Sequence, residues 1–439
     1  MALHPILHEK LNLAVIRSAE QKFTPRDVRL PAIQGKVHAV IGMRRSGKTT
    51  FLRQLRAKRL KKLSPERAVY ISFDDDRLLE LPPGQLSQLM EEYYRRYPEL
   101  RGKETVYWFL DEIQLVEGWE RFVRRVIDSE RIEIVVSGSS ARMLSREVHT
   151  SLRGRSMETV IRPFSFREFL RHRDEEPLKP VERLTPTERS MVEKRFREYL
   201  REGGFPEAQG LSTNLRVELL QGYVSSVLFR DVVERFGVTR VSALKWLMRH
   251  CLRNPGGALS LHRFYRDLRA QGHAVSKDAL HAMFGYLNDA FLVSAVPLSA
   301  ESERKRNSNP RKVYPVDTGL IQAFDASGRT NEGHALETVV LTELERSKAE
   351  VGYVKTRSGF EVDFHARFPD GREELIQVCA DLASPGTRER ELRALEEASA
   401  EYPRASRRLL LLDRDLTLTL EDRKIAIQPV YEWLLGEKA

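Results

Sequence analysis

The chain has 439 residues and a formal net charge of +10, with 41% hydrophobic and 31% charged residues. That length exceeds a single hydrophobic core, so we expect several domains, and no apolar stretch approaches the roughly 20 residues that a transmembrane helix needs. The first 22 residues lack the apolar core of a signal peptide and the two cysteines exclude a disulfide framework, so we expect a cytoplasmic protein without a membrane partner.

The first third of the sequence alternates apolar runs with helical patterns, which is typical of a doubly wound parallel α/β sheet. The apolar runs have the length of buried strands and lack polar alternation, as expected when helices cover both faces of a sheet. They predict strands at 37–41, 69–73, 106–110, 132–136 and 157–161.

A complete P-loop pattern follows the first predicted strand and precedes an amphipathic helix. Backbone N–H groups of such a loop surround phosphates, its lysine contacts the β and γ phosphates, and its threonine ligates Mg²⁺. The sequence therefore predicts binding of ATP and Mg²⁺ by a set of residues at 42–50. These are Gly42, Arg44, Arg45, Ser46, Gly47, Lys48, Thr49 and Thr50.

Two acidic residues follow the predicted strand at 106–110, at the sheet edge where parallel α/β proteins bind ligands. We expect Asp111 to hold Mg²⁺ through water and Glu112 to activate the attacking water. Serines follow the next strand. Among them Ser139 is our candidate for contacting the γ-phosphate or the lytic water, and the alternative role of these serines is to cap the helix that follows.

The remainder of the chain is helical to about residue 238 and then mixed. Three helical patterns at 243–252, 261–270 and 277–287 precede two strands, 291–297 and 313–316, joined by a basic polar loop. This order favours a winged helix-turn-helix that binds DNA through its third helix, which begins at Ser276, and through its wing at 302–312. The expected DNA contacts are Lys277, His281, Arg304, Lys305, Arg306, Arg311 and Lys312.

The chain resembles bacterial and archaeal AAA-type ATPases that carry a winged-helix region and a C-terminal domain of unknown function. The resemblance covers nearly the whole chain. Its motifs are GMRRSGKTT from 42, LDEIQ from 110, SGSS from 137, LRGR from 152, PFSFREFL from 163, GGFPEA from 203, KVYPVDTGL from 312 and EVDF from 361.

The resemblance implies a P-loop AAA+ core with a helical lid, a winged helix and a C-terminal domain similar to PD-(D/E)xK nucleases. We divide the chain accordingly into a lead segment (1–35), the core (36–162), the lid (163–238), the winged helix (239–325) and the nuclease-like domain (326–439). The resemblance also suggests that Arg155 is an arginine finger acting on a neighbouring subunit, which implies a homo-oligomer such as a hexameric ring. Arg153 is its rival, and a surface salt bridge is the alternative role for Arg155.

In the nuclease-like domain, the acidic positions of the resembled fold fall on Glu337, Asp363 and Gln377, but the lysine position is Cys379. Because a thiol cannot replace an ammonium group, we expect weak cleavage or none. Three functions remain open: a DNA-dependent ATPase that translocates on or remodels DNA, a nucleotide-controlled switch acting on a protein partner, and an ATP-regulated nuclease.

Overall fold

The computed structural model describes residues 2–16, 22–31, 33, 35–78, 80–138, 154–300, 302–325, 332–382, 384–414 and 425–436. The chain separates into two compact units, Met1–Arg162 and Pro163–Ala439. Within the described ranges, no helix combines the length and the apolarity that a membrane span requires.

The first unit is built on a five-stranded parallel sheet, which confirms the predicted α/β class. Its strands pair in the order β2-β3-β4-β1-β5. They are β1 (Val37–Ile41), β2 (Ala68–Ser72), β3 (Val106–Asp111), β4 (Ile132–Ser137) and β5 (Ser156–Val160). The helices are α1 (Pro5–Ala14), α2 (Lys48–Leu60), α3 (Gln85–Arg96) and α4 (Trp119–Ser129). Every predicted strand of this sheet is present, each shifted by at most one residue.

Helix α2 packs on this sheet through Phe51 and Leu52, which lie against Val40, Phe109 and Val135. The lead segment also belongs to this unit, because Leu7 and Leu11 of α1 are fully buried. The guanidinium of Arg56, a buried residue of α2, donates to the carbonyl of Ala14 at 2.7 Å and so fixes the C-terminal end of α1.

The second unit begins with helices and contains two sheets. Its helical part comprises α5 (Phe166–His172), α6 (Pro186–Glu202), α7 (Thr213–Ser226) with a π-helical continuation (Val227–Glu234), α8 (Val241–Arg253), α9 (Leu261–Ala270) and α10 (Lys277–Asp289). A three-stranded antiparallel sheet pairs in the order β6-β8-β7, formed by β6 (Ala258–Leu259), β7 (Val293–Val296) and β8 (Arg311–Pro315).

The sequence predicted a polar loop over 302–312, but helix α11 (Glu303–Ser308) lies there. After β8 come α12 (Thr318–Phe324) and α13 (Glu332–Arg346). The larger sheet pairs in the order β13-β12-β11-β10-β9, antiparallel among β9 (Glu350–Lys355), β10 (Glu361–Arg367) and β11 (Glu373–Cys379), and parallel from β11 through β12 (Ser406–Leu411) to β13 (Ile425–Pro429). Helices α14 (Pro385–Glu401) and α15 (Val430–Leu435) complete the unit.

One apolar cluster runs through this unit, from Phe166 of α5 and Phe196 of α6 to Leu336 of α13 and Phe364 of β10. The lid, winged-helix and nuclease-like segments predicted from the sequence therefore share a core. Their division into separate domains stays a prediction.

The hydrogen bonds of Asp317 connect two of the sequence motifs, GGFPEA from 203 and KVYPVDTGL from 312. The Asp317 carboxylate, 5% exposed, accepts the backbone N–H groups of Gly204 at 2.7 Å and of Gly319 at 2.9 Å. A Cβ on Gly203 would lie 1.9 Å from this carboxylate, and one on Gly204 would lie 2.2 Å from the carbonyl oxygen of Phe164. The consecutive glycines are therefore required for the close approach of the chain segments.

Candidate nucleotide site

The P-loop joins β1 to α2 in a conformation that depends on its glycines. Gly42 has φ of 146° and Gly47 has φ of 100°, and a Cβ on Gly42 would lie 2.2 Å from the carbonyl oxygen of Ile161. Arg45, between them, has φ of 67°, which is uncommon for a side-chain-bearing residue. The loop thus passes close to the end of β5, which leaves no room for larger residues at position 42.

Inside the loop lies a polar group without a partner. The hydroxyl of Ser46 is fully buried and makes no hydrogen bond with the described residues. Buried polar groups are nearly always satisfied, so an unpaired hydroxyl in a phosphate-binding loop fits a ligand oxygen. The loop itself is held from the lead segment, because Arg26 donates to the carbonyl of Ser46 at 3.1 Å.

The ammonium group of Lys48 faces the interior of this loop. Lys48 is 5% exposed and donates to the carbonyls of Gly42 and Met43, each at 3.0 Å. It is the first residue of α2, so a phosphate accepting from this ammonium would also lie at the positive end of the helix dipole. Thr49 follows half-buried, while Arg45 and Thr50 are exposed and Arg44 is half-buried.

The predicted acidic pair, Asp111 and Glu112, lies at the end of β3. In the sheet, β4 separates β3 from β1, the strand that precedes the P-loop. Asp111 is 2% exposed and is held by two hydroxyls, that of Ser137 on one oxygen and that of Tyr70 at 2.7 Å on the other. Ser137 also accepts the backbone N–H of Glu112 at 3.1 Å. These bonds fix the Asp111 carboxylate, as expected of a group that positions a metal ion.

Glu112 adopts the left-handed conformation with φ of 53°. Such backbone strain in a residue other than glycine is concentrated at functional sites. Burial raises the pKa of this carboxyl, while the positive charge of Lys48 and a hydrogen bond from the Gln114 amide lower it. The carboxylate therefore lies close enough to Lys48 to feel its charge, in a poorly solvated position suited to a general base.

Sequence reasoning missed Tyr70 and Ser137 as supporting residues. Ser137 belongs to the same serine run as our candidate Ser139. The sequence alone does not show which side chain of this run points toward the site. Ser139 and Arg153 lie outside the described residues. Arg155 is exposed and forms a surface ion pair with Asp128.

The candidate nuclease-like residues meet around a lysine that comes from outside their sheet. Lys312 of β8, 4% exposed, lies 3.0 Å from an oxygen of Asp363 and 2.7 Å from one of Glu361. Burial alone would lower the pKa of Lys312, but the carboxylates of Asp363, Glu337 and Glu361 outweigh it and raise this pKa. Glu337 accepts a hydrogen bond from Tyr314 at 2.8 Å, and burial together with the Asp363 charge raises its pKa.

The amide of Gln377 is already engaged in this cluster. Its oxygen accepts the backbone N–H of Asp363 at 3.2 Å, and its nitrogen donates to Glu391 at 2.6 Å. The second oxygen of Asp363 accepts the N–H of Val378 at 3.0 Å. In the described part of the chain, no group of three or more His, Cys, Asp or Glu side chains is arranged to hold a metal ion.

The residues predicted to contact DNA differ in their exposure to solvent and in their ion pairs. Lys277, His281, Arg304, Lys305 and Arg311 are exposed. Arg306 instead pairs with Glu350 at 2.7 Å and with Glu303 at 3.7 Å. The prediction that Lys312 contacts phosphate is wrong, because its ammonium group is buried among carboxylates.

The chain is similar to several known proteins. Residues 34–170 match the family described as AAA domain, and residues 193–331 match a domain of unknown function (DUF8612). A Haemophilus influenzae uncharacterized protein is 29% identical over 354 residues, covering 80% of this chain and 83% of that protein. The solved Walker-type ATPase PABY2304 of Pyrococcus abyssi aligns with 73% of this chain and 95% of its own, at 14% identity and a TM-score of 0.37.

The uncharacterized protein MJ1544 of Methanocaldococcus jannaschii is 32% identical over 435 residues, covering 97% of this chain and 93% of MJ1544. An AAA domain is a P-loop nucleotide hydrolase, and the residues that such a domain requires meet at the sheet edge described above. The chain therefore belongs to the same protein family as MJ1544 and carries an AAA-type ATPase domain in its first unit.

Proposed function

We propose that this protein is a Mg²⁺-dependent ATPase that binds DNA and couples ATP hydrolysis to DNA translocation or remodelling. The observation that carries the nucleotide half is the convergence of Lys48, Asp111 and Glu112 at one sheet edge, beside the unpaired hydroxyl of Ser46. This combination of a cation, a held carboxylate and a poorly solvated carboxylate matches what phosphoryl transfer to water requires.

Each residue of the site has a distinct task. Lys48 exchanges its carbonyl partners for phosphate oxygens, and the Ser46 hydroxyl and the loop N–H groups bind the same phosphates. Thr49 and Asp111 would hold Mg²⁺, which neutralises phosphate charge when bound. Glu112 accepts a proton from the attacking water, and Ser137 keeps the backbone of Glu112 and the carboxylate of Asp111 in register.

The DNA half rests on charge. The formal net charge of +10 favours a polyanionic partner, and exposed Lys277, His281, Arg304 and Arg311 lie in the segment between 239 and 325. In this proposal that segment is a winged helix and the unit acts as part of an oligomer. DNA binding there would change the rate at which the first unit turns over ATP.

An ATPase assay tests the proposal. Turnover of the wild-type chain is measured with no DNA and with single-stranded, duplex and forked DNA at several salt concentrations. We expect stimulation by at least one DNA structure, lost at high salt, and no turnover by the Lys48→Ala variant. Unchanged turnover with every DNA would overturn the DNA half and favour a nucleotide-controlled switch acting on a protein.

We further propose that the second unit does not cleave DNA. Lys312 and the backbone already satisfy Asp363, and Glu391 and the backbone satisfy Gln377, which leaves neither side chain ready to hold a metal ion. Incubation of labelled DNA with the protein, ATP and Mg²⁺ or Mn²⁺ should leave it intact. Cutting that disappears in Asp363→Ala would instead establish an ATP-regulated nuclease.

A further inference from the structure

A second basic segment lies outside the predicted wing. Residues 240–266 contain six lysines and arginines and no aspartate or glutamate. Lys245, Arg249, Arg263 and Arg266 are exposed there on α8 and α9, and no ion pair joins them to a carboxylate within the described residues. Burial lowers the pKa of the nearby His250 in spite of the charge of Asp267, the next acid in the sequence. The positive charge of this surface therefore comes from its lysine and arginines.

Helix α8 also exposes an aromatic ring among these charges. Of the four tryptophans, Trp108 and Trp119 are buried, Trp433 is half-buried and Trp246 is 47% exposed. Phe229, 41% exposed, lies beneath the ammonium of Lys245, 5.0 Å from the ring centre. Contact between the apolar face of a tryptophan ring and water is unfavourable, and a rigid exposed ring beside cations is suited to stacking on a flat apolar partner.

The predicted wing lacks this combination. Arg306 is neutralised by Glu350 and Glu303, and Lys312 by Asp363 and Glu361. Two of the five cations counted toward the wing are thus already paired, and no exposed aromatic ring accompanies Arg304 or Arg311 in that segment. Exposed cations beside an exposed aromatic ring therefore occur on α8 and not in the predicted wing.

We propose that the exposed face of α8 binds single-stranded DNA, with Trp246 stacking on an unpaired base while Lys245 and Arg249 contact phosphates. Stacking on an aromatic ring requires a base whose face is free, which a duplex does not offer, and cationic side chains beside such rings follow the backbone of single strands. Arg249 lies one helical turn from both of the other residues, at i+4 from Lys245 and at i+3 from Trp246, so the three form a continuous stretch of the helix surface. This inference rests on the proposed DNA function and names its surface.

The test compares matched variants of the full chain for binding of a labelled oligothymidylate, a duplex and an RNA of equal length. Trp246→Ala should weaken single-strand binding about 5- to 150-fold, the loss expected for one stacked base, while Trp246→Phe should retain most of it. Leu215→Ala, which removes another exposed apolar side chain, on α7, is the control and should bind as the wild type does. Unchanged thermal unfolding shows that each variant is folded.

The charges are tested by salt dependence. Lys245→Ala with Arg249→Ala should flatten the plot of log affinity against log salt by about 1.4 for single strands, because each lost phosphate contact removes about 0.7. The control pair Lys194→Ala with Arg201→Ala removes the same charge from exposed positions on α6 and should leave the slope unchanged.

The outcomes separate this surface from the broader function. Wild-type affinity in Trp246→Ala, an equal loss for the duplex, or binding confined to RNA would overturn the α8 surface while wild-type DNA binding stood. Absence of salt-dependent binding to any DNA by the wild type would overturn the proposed DNA function together with it.

Discussion

Lys48 and Glu112 act at different stages of the proposed reaction, so substitutions at them should separate ATP binding from hydrolysis. Lys48→Ala removes a buried cation that phosphates would contact, and should weaken ATP binding at least tenfold. Glu112→Gln keeps the side-chain shape but cannot accept a proton, so ATP should bind while the turnover rate falls by about 10² to 10⁴. Equilibrium binding of a fluorescent ATP analogue and single-turnover kinetics measure the two effects.

The matched control is Glu99→Gln, an exposed glutamate of the same unit that lies outside the site. It should leave both affinity and rate unchanged. Rapid hydrolysis by Glu112→Gln would contradict its assignment as the base, and wild-type ATP affinity in Lys48→Ala would contradict the phosphate site itself.

Residue patterns predicted the candidate nucleotide site because the spacing of a P-loop reflects its chemistry. They did not single out Ser137, because it lies in the same serine run as Ser139, just after the predicted strand, and only the structure shows that its hydroxyl contacts Asp111. They also misjudged Lys312. A basic residue in a basic segment looks solvated, and the carboxylates that neutralise it lie about 50 residues farther along the chain.

At the scale of elements, Lys312 links β8 of the small sheet to β10 of the larger one. Lys312→Ala would leave Asp363 buried without its cation, so the second unit should lose about 3 to 5 kcal/mol of unfolding free energy. Arg306→Ala, which breaks the more exposed pair with Glu350, should cost about 1 kcal/mol or less. Urea unfolding of both variants tests the contrast, and equal losses would contradict a structural role for Lys312.

The buried carboxyl group of Asp317 makes the stability of the second unit depend on pH. Complete burial raises the pKa of Asp317 to about 6, although the N–H groups of Gly204 and Gly319 lower it. Between the unfolded value, near 4, and 6 the folded state binds more protons than the unfolded state, so the contribution of Asp317 to stability falls as pH rises through this window and is flat above it.

Asp317→Asn removes this titration and also one acceptor for two N–H donors. We expect the variant to be less stable than the wild type at pH 7, and the difference in unfolding free energy to grow as pH falls from 6 to 4. Urea unfolding at three pH values measures it. A difference that stays constant or shrinks on acidification would contradict the raised pKa.

Sequence patterns predicted the helices and strands of both units better than they predicted which of these elements pack or pair with each other. Buried strands such as β1 and β3 are short apolar runs, which the pattern marks to within a residue. Strand order and the shared core of the second unit depend on contacts between distant residues, such as Phe196 with Tyr431, that no local pattern encodes. The short helix α11 was missed because its polar composition resembles that of a loop.

At the scale of the whole molecule, the oligomeric state proposed from Arg155 can be tested by mixing subunits. Arg155 pairs at the surface with Asp128, and the Arg155 side chain is 42% exposed. Because solvent screens an exposed ion pair, it adds little to stability, and an incoming nucleotide phosphate could displace Asp128 easily. An exposed arginine of this kind meets the requirement of the proposed finger.

Arg155→Ala and Lys48→Ala subunits should each be inactive alone if the finger acts between subunits. In a mixture, some interfaces would combine an intact Arg155 with an intact P-loop and regain turnover. Random assortment of equal amounts would restore about a quarter of the wild-type rate, because each single variant is expected to be slower by about 10³ or more. Asp128→Ala is the control, since it breaks the surface pair while keeping the arginine and should remain active alone. Loss of turnover in Asp128→Ala as severe as in Arg155→Ala, with no regain at any mixing ratio, would assign Arg155 to the surface ion pair and remove the argument for a shared site.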